Sequence, residues 1–143
     1  MTLSVESKLD HVWAIRAALG GILTDLRVTS SEVLLIQLAV SEILSNVIEH
    51  SYQCQPNRKV NILVRGTGTQ LQIDITDDAP PFSSDKLQQF LREHDIEEEP
   101  DEYWAERGHG LQIARRAVDS ISVGRSGDRN YVTLVKHISV NCA

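Results

Sequence analysis

The chain has 143 residues, 41% hydrophobic and 24% charged, an ordinary balance for a folded domain that excludes a disordered or low-complexity protein. Net charge is −6, and residues 95–102 (DIEEEPDE) hold six acids and no base, so the rest of the chain sums to zero and offers no basic stripe for nucleic acid. No run approaches the roughly 20 apolar residues of a membrane span, and the start, MTLSVESKLD, lacks the basic and apolar regions of a secretory signal. Cys54 and Cys142 have no partner at metal-ligand spacing and read as reduced thiols. These features predict one cytoplasmic domain over residues 1–143, with no membrane and no nucleic-acid partner.

Leu3 and Val5 alternate with polar neighbours and predict a short first strand. From about Ser7 to Asp25, Val12, Ile15, Ala18, Leu19, Ile22 and Leu23 recur at helical spacing, although Gly20 and Gly21 each weaken that helix by up to about 1 kcal/mol against Ala. A second helix begins at Thr29, whose spacing to Glu32 is that of a capping box. Residues 33–40 (VLLIQLAV) are apolar almost all round, which predicts burial on every side. Beyond Ser41, Ile43, Leu44, Val47 and Ile48 keep one face apolar, while Glu42, Asn46 and Glu49 share the opposite one. Pro56 and Asn57 mark the exit.

Two alternating strands follow, around Val60, Ile62 and Val64 and around Leu71, Ile73 and Ile75, with Gly66 and Gly68 between them. The run DDAPPF ends the second, because consecutive prolines cannot feed a ladder. Residues 84–94 have a weak helical pattern, and the acidic segment after them reads as a solvated loop or as a patch that steers a basic partner. GHGLQIARRAVDS reads as a glycine-started helix. Ile121–Val123 and Tyr131–Ile138 form a closing hairpin around SGDRN. Helices set apart from antiparallel strands predict an α+β fold, a two-layer α/β sandwich with its helices on one face of a mixed, mainly antiparallel sheet. A purely parallel sheet would need a crossover between the strands at 60–66 and 69–77, which the two or three residues there cannot supply.

Three polar features stand out against this frame. Glu42 and Asn46 lie one turn apart on a helix otherwise sealed by aliphatics. Such a strip needs water, a metal or a ligand, since an unpartnered buried polar group costs roughly 1–3 kcal/mol. Asp77 and Asp78 close a strand, where acids commonly just start a turn. Gly108, His109 and Gly110 open a helix, where glycines admit a phosphate to free amides at the positive end of the dipole. Each feature alone also fits an ordinary solvated face, turn or helix start.

Taken in order, the three resemble the motifs of the GHKL ATPases, and among them the RsbW/SpoIIAB-type anti-sigma-factor serine kinases. LAVSEILSNVIEHSY resembles the N box, ITDDAPPF the first glycine box, ERGHGLQIARRAVDSISV the second, and SGDRNYVTLVKHI the last strand pair. The resemblance covers nearly the whole chain and implies the Bergerat fold of that superfamily. It implies ATP and Mg2+ as cofactors, with Glu42 as general base and Asn46 as the magnesium ligand. It further implies that Asp77 accepts a hydrogen bond from the adenine amino group. Gly108, Gly110 and Leu111 match the phosphate-facing turn, and either Asn130 or Thr133 helps close the adenine pocket. His50, Ala79, Phe82, Arg107 and His109 fall within the same boxes and join the expected nucleotide-contacting set, His50 and its neighbour Tyr52 mainly as structural residues.

By the same resemblance the chain is an anti-sigma factor and protein serine kinase of a partner-switching system. It would phosphorylate a serine of an anti-anti-sigma antagonist with a STAS domain, sequester a sigma factor and form a homodimer. Two positions depart from the family pattern. Ala79 stands where the first glycine box has Gly, and Arg107 replaces the first of a glycine pair in the second. Both motivate an alternative, a binding module with weak or absent kinase activity that regulates by protein contacts alone. The ATP-binding domain of a histidine kinase is disfavoured, because the sandwich consumes the chain and leaves no room for a phosphoacceptor helix.

Overall fold

The computed structural model describes residues 1–55, 57–80 and 116–138. The expected helix at 84–94, the acidic segment and most of the glycine-started helix lie outside the described residues. The elements are β1 (Thr2–Glu6), α1 (Asp10–Asp25), α2 (Ser30–Asn46), β2 (Lys59–Gly66), β3 (Gln70–Asp77), β4 (Ser120–Ser126) and β5 (Arg129–His137), with a π-helical turn over Val47–Ser51. The five strands form one sheet in the order β1-β2-β3-β5-β4. All four pairings are antiparallel, so the mixed sheet expected from sequence is antiparallel throughout among the described residues.

The period-2 pattern sets which face of the sheet is covered. Val60, Ile62 and Val64 of β2, Leu71, Ile73 and Ile75 of β3 and Leu134 of β5 are buried. They meet Ile15, Leu19 and Leu23 of α1 and Ile36, Ala39, Val40, Ile43 and Leu44 of α2 in one core. Leu3 and Val5 of β1 pack against its rim, opposite Ile62 and Val60.

Several local expectations shift. Helix α1 starts at Asp10, not Ser7. The Ser7 hydroxyl donates to the Gln55 carbonyl at 2.5 Å and its amide to the Arg58 carbonyl at 2.8 Å, so it ties the chain to the exit of α2. Thr29 does cap α2, accepting from the Glu32 amide at 3.4 Å. The reciprocal half of the box is replaced, however: the Glu32 carboxylate takes the Thr29 hydroxyl at 3.0 Å and pairs with Lys136 at 3.4 Å. The first half of α2 is not buried all round, since a helix in a two-layer sandwich has an outward side. Leu34 is 50% and Leu35 37% exposed there. An 18-residue window within Ser30–Glu49 also reaches a mean hydropathy of 1.5, enough by length and composition for a span, contrary to the sequence expectation. Packing of this helix into the core accounts for that apolarity.

Gly20 has a reason the sequence hid. A methyl group there would collide with the Gln37 carboxamide, whose Nε2 donates to the Arg16 carbonyl at 2.8 Å and joins α1 to α2. The closing hairpin turns on Gly127 and Asp128 alone, with Gly127 at φ +63, the pattern of a type II′ turn.

Candidate functional site

Glu42 and Asn46 occupy the last turns of regular α-helix, partly buried and flanked by the fully buried Ile43, Leu44, Val47 and Ile48. Among the described residues neither side chain has a hydrogen bond or ion pair, so a carboxylate and a carboxamide face the same way with their polar capacity unspent. Immediately after Asn46 the ladder widens to a π turn, closed by Tyr52 N donating to Val47 O at 2.9 Å. Single π turns recur at functional sites because they re-aim side chains. Here the wider turn breaks the helical register, and Glu49, expected beside Glu42 and Asn46, is exposed.

The chain then leaves the helix through Gln53 (φ 50), Cys54 (φ 56) and Asn57 (φ 72), all in the left-handed region. For Gln and Cys that conformation costs about 1 kcal/mol or more each and persists only where the surroundings impose it. Tyr52, just before them, is 3% exposed. Its hydroxyl lies 2.6 Å from Asp78 Oδ1 and 2.8 Å from the Lys59 carbonyl, and accepts the Asp78 amide at 2.9 Å. Burial first, and the hydrogen bond to Asp78 second, hold this phenol well above its usual pKa. Tyr52 is thus a strut between the exit of α2 and the acidic turn after β3.

At that turn Asp77 is 5% exposed. Its Oδ1 accepts the Ala79 amide at 3.0 Å, a local turn-forming bond, and Asn130 Nδ2 at 2.9 Å. Asp77 and Asn130 are directly opposite in the β3–β5 register, so their side chains share one face of the sheet. Asn130, 2% exposed, also donates to the carbonyls of Ala79 at 3.1 Å and Pro80 at 3.4 Å. Arg125, across β4–β5 from Asn130, donates from one guanidinium nitrogen to Asn130 Oδ1 at 3.0 Å and to the Ala79 carbonyl at 3.2 Å. Among the described residues no donor reaches the second oxygen of Asp77, Oδ2.

The two sequence alternatives on β5 are therefore separated. Asn130 joins Asp77. Thr133, three residues on, falls on the opposite face and donates to Asp74 Oδ1 at 2.7 Å, in a cluster with Gln72 and Arg65. Ala79 is fully buried and its φ is not in the left-handed region, so the backbone here does not itself demand glycine. The side chain of His50, and Phe82, Arg107, Gly108, His109, Gly110 and Leu111, lie outside the described residues.

Sequence reading missed Arg125, and it left Asn130 and Thr133 undecided. Only the strand register reveals both, because it alone shows which β5 residue stands opposite Asp77. Chemically, Asp77 offers an oriented acceptor to an amino group. Asn46 offers a carboxamide oxygen of the hard kind that suits Mg2+, an ion that takes few protein ligands and fills its octahedron with water and phosphate. The residues present fit that ion and a purine amine.

The chain matches the family described as histidine kinase-like ATPase domain over residues 5–136. It is similar to proteins named serine-protein kinase RsbW. That of Bacillus subtilis (strain 168) is 26% identical over 121 residues, covering 85% of this chain and 75% of the relative. That of Bacillus velezensis (strain DSM 23117 / BGSC 10A6 / LMG 26770 / FZB42) is 22% identical over 137 residues, covering 96% and 84%. Two solved structures, each 16% identical, share the fold. The RsbU and RsbW domains of a Mycobacterium tuberculosis protein give a TM-score of 0.62 over 96% of this chain, which spans only 31% of that one. The SiaB–SiaC complex of Pseudomonas aeruginosa gives 0.60 over 95% of this chain and 89% of that one.

Proposed function

Since the chain belongs to the histidine kinase-like ATPase domain family, we propose that it is a cytoplasmic anti-sigma factor and ATP-dependent protein serine kinase of the RsbW type. In this reading residues 1–143 act as a single such domain, as a homodimer. It phosphorylates a serine on an anti-anti-sigma antagonist with a STAS domain, and it sequesters a sigma factor when that antagonist is phosphorylated.

The observation that carries the reading is a buried Asp77 whose Oδ1 is committed to Ala79 and Asn130 while, among the described residues, no donor reaches Oδ2. A buried carboxylate oxygen left without a donor is costly, and an adenine amino group would supply one. Bound Mg-ATP supplies the phosphoryl group and the positive charge that phosphoryl transfer needs, which leaves the protein mainly positioning and proton transfer. Asn46 would hold the ion through its carboxamide oxygen. Glu42 would take the proton from the antagonist's serine hydroxyl, a weak nucleophile until deprotonated. Placing both on one helix fixes their separation better than loops would.

Incubation with labelled ATP, Mg2+ and the cognate antagonist tests this. Transfer to a serine by the native chain, and none by Glu42→Ala with sigma binding retained, is the expected result. Full transfer by Glu42→Ala refutes the assigned base. Ala79, buried and bonded through its amide to Asp77 Oδ1 where the family motif has Gly, motivates a second reading as a kinase-weak switching module. Tight antagonist binding without any transfer would select it.

A further inference from the structure

We propose that Arg125 is a positioning residue that sets nucleobase selectivity, by locking the Asn130 carboxamide so that Asp77 presents Oδ2 as a pure acceptor. The inference rests on the nucleotide reading above and deepens it.

An asparagine amide can sit in either of two orientations related by a flip, and its partners decide which. At Asn130 the decision is chemical. The guanidinium of Arg125 can only donate, so the atom 3.0 Å from it must be the carbonyl oxygen. The Ala79 and Pro80 carbonyls can only accept, so the atom facing them must be the NH2. That NH2 then points at Asp77 Oδ1, where the Ala79 amide also arrives. Both donors converge on one oxygen, and among the described residues the other receives none.

Without Arg125 the Asn130 carboxamide loses its anchor on the oxygen side. Asn130 Oδ1 would lose its only donor among the described residues while being 2% exposed, an unsatisfied buried acceptor. The Ala79 carbonyl would lose one of its two donors as well. The three acceptors around the NH2 still oppose a flip, but the carboxamide, anchored on one side only, would tilt and loosen the contact that holds Asp77 Oδ1. An acceptor held in place rewards a ligand edge bearing an amino group and penalises one bearing a carbonyl, since the carbonyl would face the carboxylate oxygen without a proton between them. Adenine and guanine differ in this way at the six-position. Selectivity of this type, set by a fixed polar partner, is far stronger than that of an apolar pocket.

Arg125 is itself exposed, so replacing it leaves the core intact. Isothermal titration of the chain with Mg-ATP and with Mg-GTP reads the effect, for the native protein, for Arg125→Ala and for Arg129→Ala. Arg129 is exposed and lies on the same hairpin, and among the described residues it has no hydrogen bond or ion pair, so its removal deletes the same charge without touching Asn130. The expected result is a native preference for ATP that drops about tenfold in Arg125→Ala and is unchanged in Arg129→Ala. An unchanged ratio in Arg125→Ala, or equal weakening of both nucleotides by both variants, overturns the proposal and leaves nucleotide binding standing. Failure of the native chain to bind either nucleotide overturns the nucleotide reading itself, and this inference with it.

Discussion

Removing one oxygen atom, by Tyr52→Phe, probes the strut between the two halves of the site. The hydroxyl has three protein neighbours within 2.9 Å, one of them a carboxylate oxygen. Deleting it leaves the Lys59 carbonyl and the Asp78 amide without that partner. The Asp78 side chain is half exposed and recovers water. One charged hydrogen bond and one or two stranded backbone groups amount to about 2 kcal/mol. For a chain of this size the melting midpoint should fall by about 6–8 °C.

The pH dependence sharpens the test. The ordinary tyrosine pKa is 10.0, and in the fold burial and then the Asp78 bond raise it. Above pH 10 the unfolded chain sheds this proton while the native chain keeps it. The native state therefore binds more protons, and the unfolding free energy falls with rising pH, by up to about 1.4 kcal/mol per unit. The stabilisation is whole below pH 10 and lost above it. Phenylalanine has no such proton. The native advantage of about 2 kcal/mol at pH 7 should shrink above pH 10 and vanish near about pH 11.5. Urea denaturation followed by circular dichroism at a series of pH values measures both curves. Equal stability at pH 7, or curves that stay parallel above pH 10, would refute the strut.

Asp77→Asn should cut ATP affinity at least about tenfold, read by titration calorimetry, because its carboxamide cannot accept at both oxygen positions. Asn46→Ala should raise the Mg2+ concentration needed for half-maximal phosphoryl transfer while leaving antagonist binding unchanged. Gly21→Ala should stabilise the chain by about 0.5–1 kcal/mol, since it improves helix propensity and meets nothing within 4 Å. Gly20→Ala gains the same propensity but displaces Gln37 from the Arg16 carbonyl, worth about 1 kcal/mol, so its denaturation midpoint should stay close to the native one.

The helices and strands were legible because their apolar residues repeat with clean periods: Ile15, Leu19 and Leu23 at one period, Ile62 and Val64 at the other. The ends were not. Ser7 looks like a helix start but bonds to Gln55, a partner 48 residues away that local sequence cannot reveal. Leu34 and Leu35 were expected inside because composition does not say on which side a helix meets solvent. In the candidate site, the motif singled out Asp77, while its relation to Asn130 needed strand register. Arg125 carried no signal at all, since an arginine on an edge strand is common. The π turn was invisible for a similar reason. VIEHS fits an ordinary α-helix, and the Tyr52 that closes its wider turn is held at its other end by Asp78, a contact distant in sequence.

Asp77 and Asn130 are separated by 53 positions, and the hairpin carrying Asn130 and Arg125 comes late in the chain. During synthesis the N-terminal helices emerge first, so Glu42 and Asn46 are made well before the Asp77 carboxylate is braced. On the proposed reading, a half-made chain would hold its general base yet have no selective grip on a purine. Ligand would bind only molecules whose last strands have docked, and by mass action would stabilise that completed population over its precursors. On that reading the order of the elements would act as a checkpoint, with competence arriving when the β4–β5 ribbon docks.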